Sequence, residues 1–285
     1  MTQVSGMYPV PLTVVPVIAS GLTVDGLKMR GLMEGVSAGT SFIPSNLTGL
    51  AFWYEADNGV LDTSNNTVTD EATQVVNWQD QSGSNNTLST IVGGLRLKLS
   101  AINGRQSIDF AKQNAETYLS VATAPTNIGT TGYSFFAVAS PISTNKASVV
   151  MCWNRNLGNE FPFNTISIAN SPAASYRGCG HDGTGYILPN AGAVSAVSNT
   201  PALLEQYAIN SSVVTLIVNV TNSFTSTCGT LDNTQTYLYV GNSDGGQTNN
   251  NGFRGYIGEV LGYTHILSAT ERSKVRSYLT TKWGL

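Results

Sequence analysis

Phe253-Arg254-Gly255-Tyr256-Ile257-Gly258-Glu259-Val260-Leu261-Gly262-Tyr263, with Leu267-Ser268-Ala269-Thr270-Glu271 and Tyr278-Leu279-Thr280-Thr281-Lys282-Trp283-Gly284-Leu285 close behind it, is the stretch that decides the fold. Phe253, Tyr256, Ile257, Val260 and Leu261 cannot share one face of a strand with period 2, so the spacing predicts a bulge or burial on both faces. Gly255, Gly258 and Gly262 leave room for a crossing element to approach closely. Ser268 and Glu271 form a capping box, in which the hydroxyl accepts from one free N–H and the carboxylate reaches back to another. Val275, Tyr278, Leu279 and Lys282 then recur at helical spacing, and Gly284 is placed to end the helix. Leu279 and Trp283 are expected to anchor that helix, with Arg272, Lys274 and Arg276 facing water or complementing the C-terminal dipole.

Upstream, short runs rich in Val, Ile, Tyr, Phe and Thr alternate with Gly, Asn and Ser turns: Leu50–Tyr54, Val75–Trp78, Arg96–Ser100, Ser107–Phe110, Tyr133–Ala139, Ser148–Trp153, Thr165–Ala169, Val213–Val220 and Thr236–Val240. This succession predicts an all-β, two-sheet antiparallel jelly-roll sandwich closed by one C-terminal helix. Charged residues make up only 11% of the 285, and Gly numbers 29, so few helix-stabilising ion pairs are available. The net charge of −3, without a basic run, speaks against nucleic acid or anionic membrane as a partner. No apolar run reaches the length of a membrane span. Pro9–Ser20 is apolar, but its prolines and the lack of any basic residue before Lys28 argue against a signal peptide. Cys152, Cys179 and Cys228 allow at most one disulfide and are read as buried thiols. With only His181 and His265 to join them, their spacing matches no zinc site.

Trp78-Gln79-Asp80-Gln81-Ser82-Gly83, the strand Gly104 to Phe110 and the closing segment together resemble laminin-G-like jelly rolls of the concanavalin A-like lectin/glucanase superfamily, as found in tailed-phage virion proteins and bacterial surface proteins. The resemblance covers residues 47–285. It implies a lectin-like sandwich displayed by a structural virion protein of a bacteriophage, a capsid decoration or fibre-like component, located on the virion. Its alternative is a carbohydrate-binding adhesin or module. Residues 1–46, with four prolines and many glycines, read as an extended N-terminal arm for attachment to other virion proteins or for homo-oligomerisation.

Ligand candidates are fewer. Sugar binding on a sandwich needs aromatic platforms and amide or carboxylate partners, for which Tyr176, His181, Tyr186 and Asn250 are available in glycine-rich or asparagine-rich stretches. Asp80 with Asn85 offers hard oxygens for Ca²⁺, although an Asx turn also accounts for the aspartate; no other cofactor is indicated. Glu259 reads either as a catalytic or metal-binding carboxylate or as one held by backbone N–H groups or an arginine. Hydrolytic members of the resembling superfamily carry an E-x-D-x-x-E strand, and here Glu55-Ala56-Asp57 lacks its third carboxylate. The expectation from these residues is a chain that is not an enzyme.

Overall fold

The computed structural model describes residues 41–91, 94–110, 117–121, 131–144, 147–153, 164–169, 174–181, 186–187, 194–227, 230–231, 237–242 and 252–285. The expected arm lies outside them except for residues 41–46. A compact unit begins at Phe42. Its strands in chain order are β1 (Leu50–Glu55), β2 (Val60–Leu61), β3 (Asn77–Trp78), β4 (Leu88–Thr90), β5 (Arg96–Ile102), β6 (Arg105–Asp109), β7 (Leu119–Val121), β8 (Gly132–Pro141) and β9 (Ser148–Trp153). They continue with β10 (Asn164–Ala169), β11 (Ser175–His181), β12 (Tyr186–Ile187), β13 (Ala202–Ile209), β14 (Val213–Val218), β15 (Asn222–Thr227), β16 (Leu238–Val240) and β17 (Gly255–Tyr263). Among the described residues a 3₁₀ turn, Pro44–Asn46, precedes them and one helix, α1 (Ala269–Trp283), follows.

The strands form two antiparallel sheets, as the alternating pattern predicts. The first runs β15-β14-β13-β8-β17-β6-β5, with β1 also paired to β17. The second runs β12-β11-β10-β9-β16-β7-β4-β3-β2. The core between them contains Phe52, Tyr54, Trp78, Phe110, Phe135, Trp153, Leu204 and Val260. Its rings interlock: Phe52 meets Trp153 edge-on with centroids 5.0 Å apart, and Tyr133 stacks on Phe135 at 4.5 Å.

Strand β17 carries both predicted features. Its register against β8 slips between Ile257 and Glu259, so Gly258 is the extra residue of a bulge. The bulge resets the alternation. Ile257 and Val260 enter the inter-sheet core, while Tyr256, Leu261 and Tyr263 face the opposite side. There α1 packs, burying Val275, Leu279 and Trp283 against Trp53, Phe136, Val138, Leu203 and Leu261. A Cβ on Gly258 would lie 2.5 Å from the Trp283 ring, so glycine is what lets the helix seat this closely.

The helix ends are as the sequence predicts. Ser268 Oγ accepts from Glu271 N–H at 3.3 Å, Ser268 N–H donates to Glu271 Oε2 at 2.8 Å, and Gly284 terminates the helix at φ 65°. Two of its basic residues depart from expectation. Arg272 and Arg276 do not simply face water: both pair with buried Glu205 of β13, and the Arg272 guanidinium stacks 4.1 Å over the Tyr207 ring. Burial raises the Glu205 carboxyl above its usual range, and the two guanidinium groups oppose that rise. Lys274 is exposed as expected.

Candidate functional site

The Trp78–Gly83 turn is a structural device. Asp80 Oδ1 accepts from the N–H groups of Trp53 and Ser82, each at 2.9 Å. Its Oδ2 accepts from Ser82 Oγ at 2.8 Å and Asn86 N–H at 3.1 Å. Gln81 N–H donates to the Trp53 carbonyl at 2.7 Å, and Trp78 Nε1 to the Glu55 carbonyl at 2.8 Å. These bonds match the Asx-turn reading of Asp80. Protein donors occupy both carboxylate oxygens, and Asn85 serves the turn through a left-handed backbone at φ 59°. Among the described residues no group of three potential ligand side chains is placed to hold a metal ion.

Glu259 is fully buried beneath the helix. Register across the first sheet sets Glu259 of β17 directly opposite Glu55 of β1. Like charges so placed repel, and Lys282 resolves the conflict. Its ammonium lies 2.9 Å from Glu259 Oε2, also contacts Glu55 Oε2, and is 3.3 Å from Asp57 Oδ1. Trp53 Nε1 donates to Glu259 Oε1 at 2.7 Å and Trp283 Nε1 to Oε2 at 2.8 Å. The partners are thus a lysine and two indoles, where backbone N–H groups or an arginine were expected. Burial raises the Glu259 carboxyl. Burial would lower the Lys282 ammonium, but Glu259 and Glu55 hold it above its ordinary value. Asp57, despite partial burial, is held below the usual carboxylate range by Arg105 and Lys282. The cluster ties Lys282 and Trp283 of the helix to β1 and β17, with Glu259 fully buried and Asp57 partly exposed.

The outer face of the second sheet has a different chemistry. Register aligns Thr165 of β10, Cys152 of β9, Tyr239 of β16, Ser120 of β7, Ser89 of β4 and Asn77 of β3 in one row across it. Leu119, Leu238 and Val240 point the other way, into the core. Tyr118 packs edge-on to Tyr239 at 5.6 Å, and Tyr237 stacks on Tyr239 at 6.1 Å and 21°. Tyr118 and Tyr239 are buried, and Tyr237 is partly exposed. Ser89 Oγ donates to Asn77 Oδ1 at 2.9 Å, and Asn77 Nδ2 to Asn65 Oδ1 at 3.3 Å, so the polar row is held in fixed orientation. A partly exposed aromatic ring on a face that also carries pre-oriented hydroxyl and amide groups can stack on a sugar ring and hydrogen-bond its hydroxyls.

Of the residues singled out for sugar binding, Tyr176 is corrected. It is 3% exposed and faces the inter-sheet core, where its ring cannot serve as a platform. The backbones of His181 and Tyr186 pair at the far edge of the second sheet, and their side chains lie outside the described residues. Asn250 also lies outside them. The sequence reading passed over Tyr118, Tyr237 and Tyr239. The alternation Tyr237-Leu238-Tyr239-Val240 was the available signal, since it sets two tyrosines on the face opposite two aliphatic residues.

No protein-family model matches the sequence, and no curated protein matches it. Solved structures do share its fold. One is domain 4 of an extracellular GH43 arabinanase from Geobacillus stearothermophilus, in complex with arabinotriose: TM-score 0.55 and 12% identity over 80% of this chain and 98% of that one. A Trypanosoma rangeli sialidase aligns with TM-score 0.58 and 9% identity over 83% of this chain, and a GH54 α-L-arabinofuranosidase with 0.58 and 13% over 82%. The alignment spans only 33% of the sialidase and 63% of the arabinofuranosidase. The expectation that the chain is not an enzyme is corrected by these neighbours, which are glycoside hydrolases or parts of them. The missing E-x-D-x-x-E spacing excludes only one way of placing two carboxylates. At these identities the likeness establishes the fold alone, a two-sheet antiparallel β-sandwich.

Proposed function

We propose that the chain is a carbohydrate-binding sandwich that holds glycans on the outer face of its second sheet. The observation that carries this reading is the partly exposed Tyr237, backed by the buried Tyr239 on which it stacks, on a face that also carries the partly exposed Ser120, Ser89 and Asn77. The arabinotriose held by the arabinanase domain of the same fold supports it. Binding is tested by titrating the full chain with arabinan and a panel of bacterial and host polysaccharides in affinity electrophoresis and calorimetry. Release of reducing sugar from each is measured in the same samples. Tyr237→Ala should weaken binding at least about tenfold, the equivalent of about 1.4 kcal/mol. Retention of no glycan by the parent chain, or equal retention by the variant, refutes the reading.

We place this sandwich on a bacteriophage virion, with residues 1–46 as its attachment segment. The closing segment's resemblance to virion proteins and a composition poor in charge but rich in Thr, Ser, Asn and Gly support that setting. Co-purification of the full chain with assembled particles, lost when the chain starts at Ser41, is the expected result. A full chain that never accompanies particles overturns it.

A further inference from the structure

The hairpin of β5 and β6 also serves the helix. Its two-residue turn is Asn103-Gly104, both exposed and both in the left-handed region at φ 48° and 82°. The last carbonyls of a helix have no partner within it. Asn103 Nδ2 supplies one from outside, donating to the Trp283 carbonyl at 2.9 Å and the Gly284 carbonyl at 3.0 Å. The next residue, Arg105, pairs with Asp57 and lies 5.6 Å from the centre of the Trp283 ring. One turn of a distant hairpin thus caps the C-terminal end of α1.

Asparagine followed by glycine can lose its side-chain amide to its own backbone, because glycine has no Cβ to hinder the attack. The glycine nitrogen gives its proton to hydroxide and attacks Cγ. A C–N bond forms, the Cγ–Nδ2 bond breaks, and ammonia leaves with a proton taken from water. Water then opens the resulting five-membered imide to aspartate or isoaspartate. Water is the sole co-reactant and ammonia the product.

The chain has three such pairs, Asn58-Gly59, Asn103-Gly104 and Asn251-Gly252. Asn251 lies outside the described residues. The other two differ in their surroundings. Gly59 is buried, and a Cβ there would lie 2.6 Å from Gln81 Nε2 and 2.9 Å from Gln79 Cβ. Asn58 Nδ2 also donates to Gln81 Oε1 at 2.9 Å. A Cβ on Gly104 would meet nothing within 4 Å, so ring closure has room there.

We propose that Asn103 is a hydrolytic modification site, at which deamidation replaces the donor that caps α1 by a carboxylate and loosens the end of the helix. The product offers no N–H to the carbonyls of Trp283 and Gly284. Its negative charge also sits at the negative end of the helix dipole. Isoaspartate adds one carbon to the main chain between Ile102 and Arg105, which pair across the turn, and so draws Arg105 away from Asp57 and Trp283. Conversion therefore weakens, as the molecule ages, the same helix end that Lys282 holds.

The test keeps the full chain in mildly alkaline buffer and follows each site by peptide mass mapping and enzymatic labelling of isoaspartate. In the folded chain Asn103 should convert at least about tenfold faster than Asn58, and the two rates should draw together in denaturant, where only the local sequence acts. Asn103→Asp, which installs one of the products, should lower the melting temperature by about 2–4 °C and speed hydrogen exchange in the last turn of α1. Conversion at Asn103 no faster than at Asn58, or an Asn103→Asp variant that melts and exchanges as the parent does, overturns the proposal.

Discussion

Replacing Lys282 by Met would remove the ammonium that separates Glu55 from Glu259 and leave the hydrocarbon stem nearly unchanged. Glu259 is fully buried, and Lys282 side-chain exposure is only 12%, so solvent cannot take over the lysine's role. The two indole N–H groups and the Tyr278 hydroxyl would remain, but Glu55 would face Glu259 across the ladder with no cation between them. Breaking a buried pair by deleting one partner costs about 3–5 kcal/mol. For a domain of this size each kcal/mol moves the melting temperature by roughly 2–4 °C. The variant should therefore melt about 6–20 °C below the parent in calorimetry. A companion Glu259→Gln change in the same chain should recover a large part of that loss, because it removes the stranded charge. The expected rescue is specific to electrostatics; lost packing alone would be additive. If Lys282→Met melts within about 2 °C of the parent, less than one kcal/mol would move it, or if the double variant is worse than the single, the cluster is not what holds the helix.

Three further outcomes are expected. Gly258→Ala should cost about 1–3 kcal/mol in urea denaturation, because the added methyl meets the Trp283 ring at 2.5 Å; a neutral result would mean the helix can shift outward freely. Asn164 is fully buried between the sheets with neither amide atom hydrogen-bonded, so Asn164→Val should raise stability by about 1 kcal/mol, read as a higher urea midpoint at unchanged slope, and a lower midpoint would refute the assignment. Burial raises Glu205 and Glu259, so the folded chain holds protons more tightly there than the unfolded chain, and the contribution of these groups is lost as pH rises through their folded values. The contribution of Glu205 and Glu259 should accordingly be full below the ordinary carboxylate range and shrink as pH rises through their raised folded values, whereas that of the depressed Asp57, Asp62, Asp70 and Glu271 is full above that range and is lost as pH falls through their lowered folded values. Glu259→Gln should flatten the fall of melting temperature with rising pH, and an unchanged slope in that variant would contradict the cause given.

The closing strand and helix were legible in the sequence because their determinants are local: a capping box, a terminal glycine and an alternation broken at Gly258. Strand β13 was not. Ala202-Leu203-Leu204-Glu205-Gln206 reads as helix-favouring, and it becomes a buried strand only because Arg272 and Arg276 reach Glu205 while Gln206 donates to Tyr133 Oη at 2.8 Å. Strand β15 has a single apolar residue and draws its order from β14. The tyrosine face was hidden for a related reason. Which side of Tyr237 and Tyr239 looks outward is settled by the register of β16 between β7 and β9, and that pairing joins segments far apart in the chain. Asp80 was legible as a turn former because its partners, Ser82 and Asn86, follow it closely in the chain.

Strand β17 lies between β8 on one side and β6 and β1, end to end, on the other. Strands β8, β13, β14 and β15 pair in sequence order, whereas among the described residues β1 has no partner strand but β17, and β5 and β6 have only each other without it. The first sheet is therefore in separate pieces until residues 255–263 arrive. During synthesis, at about 5–20 residues per second, about two hundred residues after β1 must leave the ribosome before that strand can be paired. Throughout that interval Phe52, Trp53 and Tyr54 have no sheet to enter. The nascent chain must carry them shielded by a chaperone or by transient collapse, and a ribosome that stalls before Gly255 releases a product prone to aggregation.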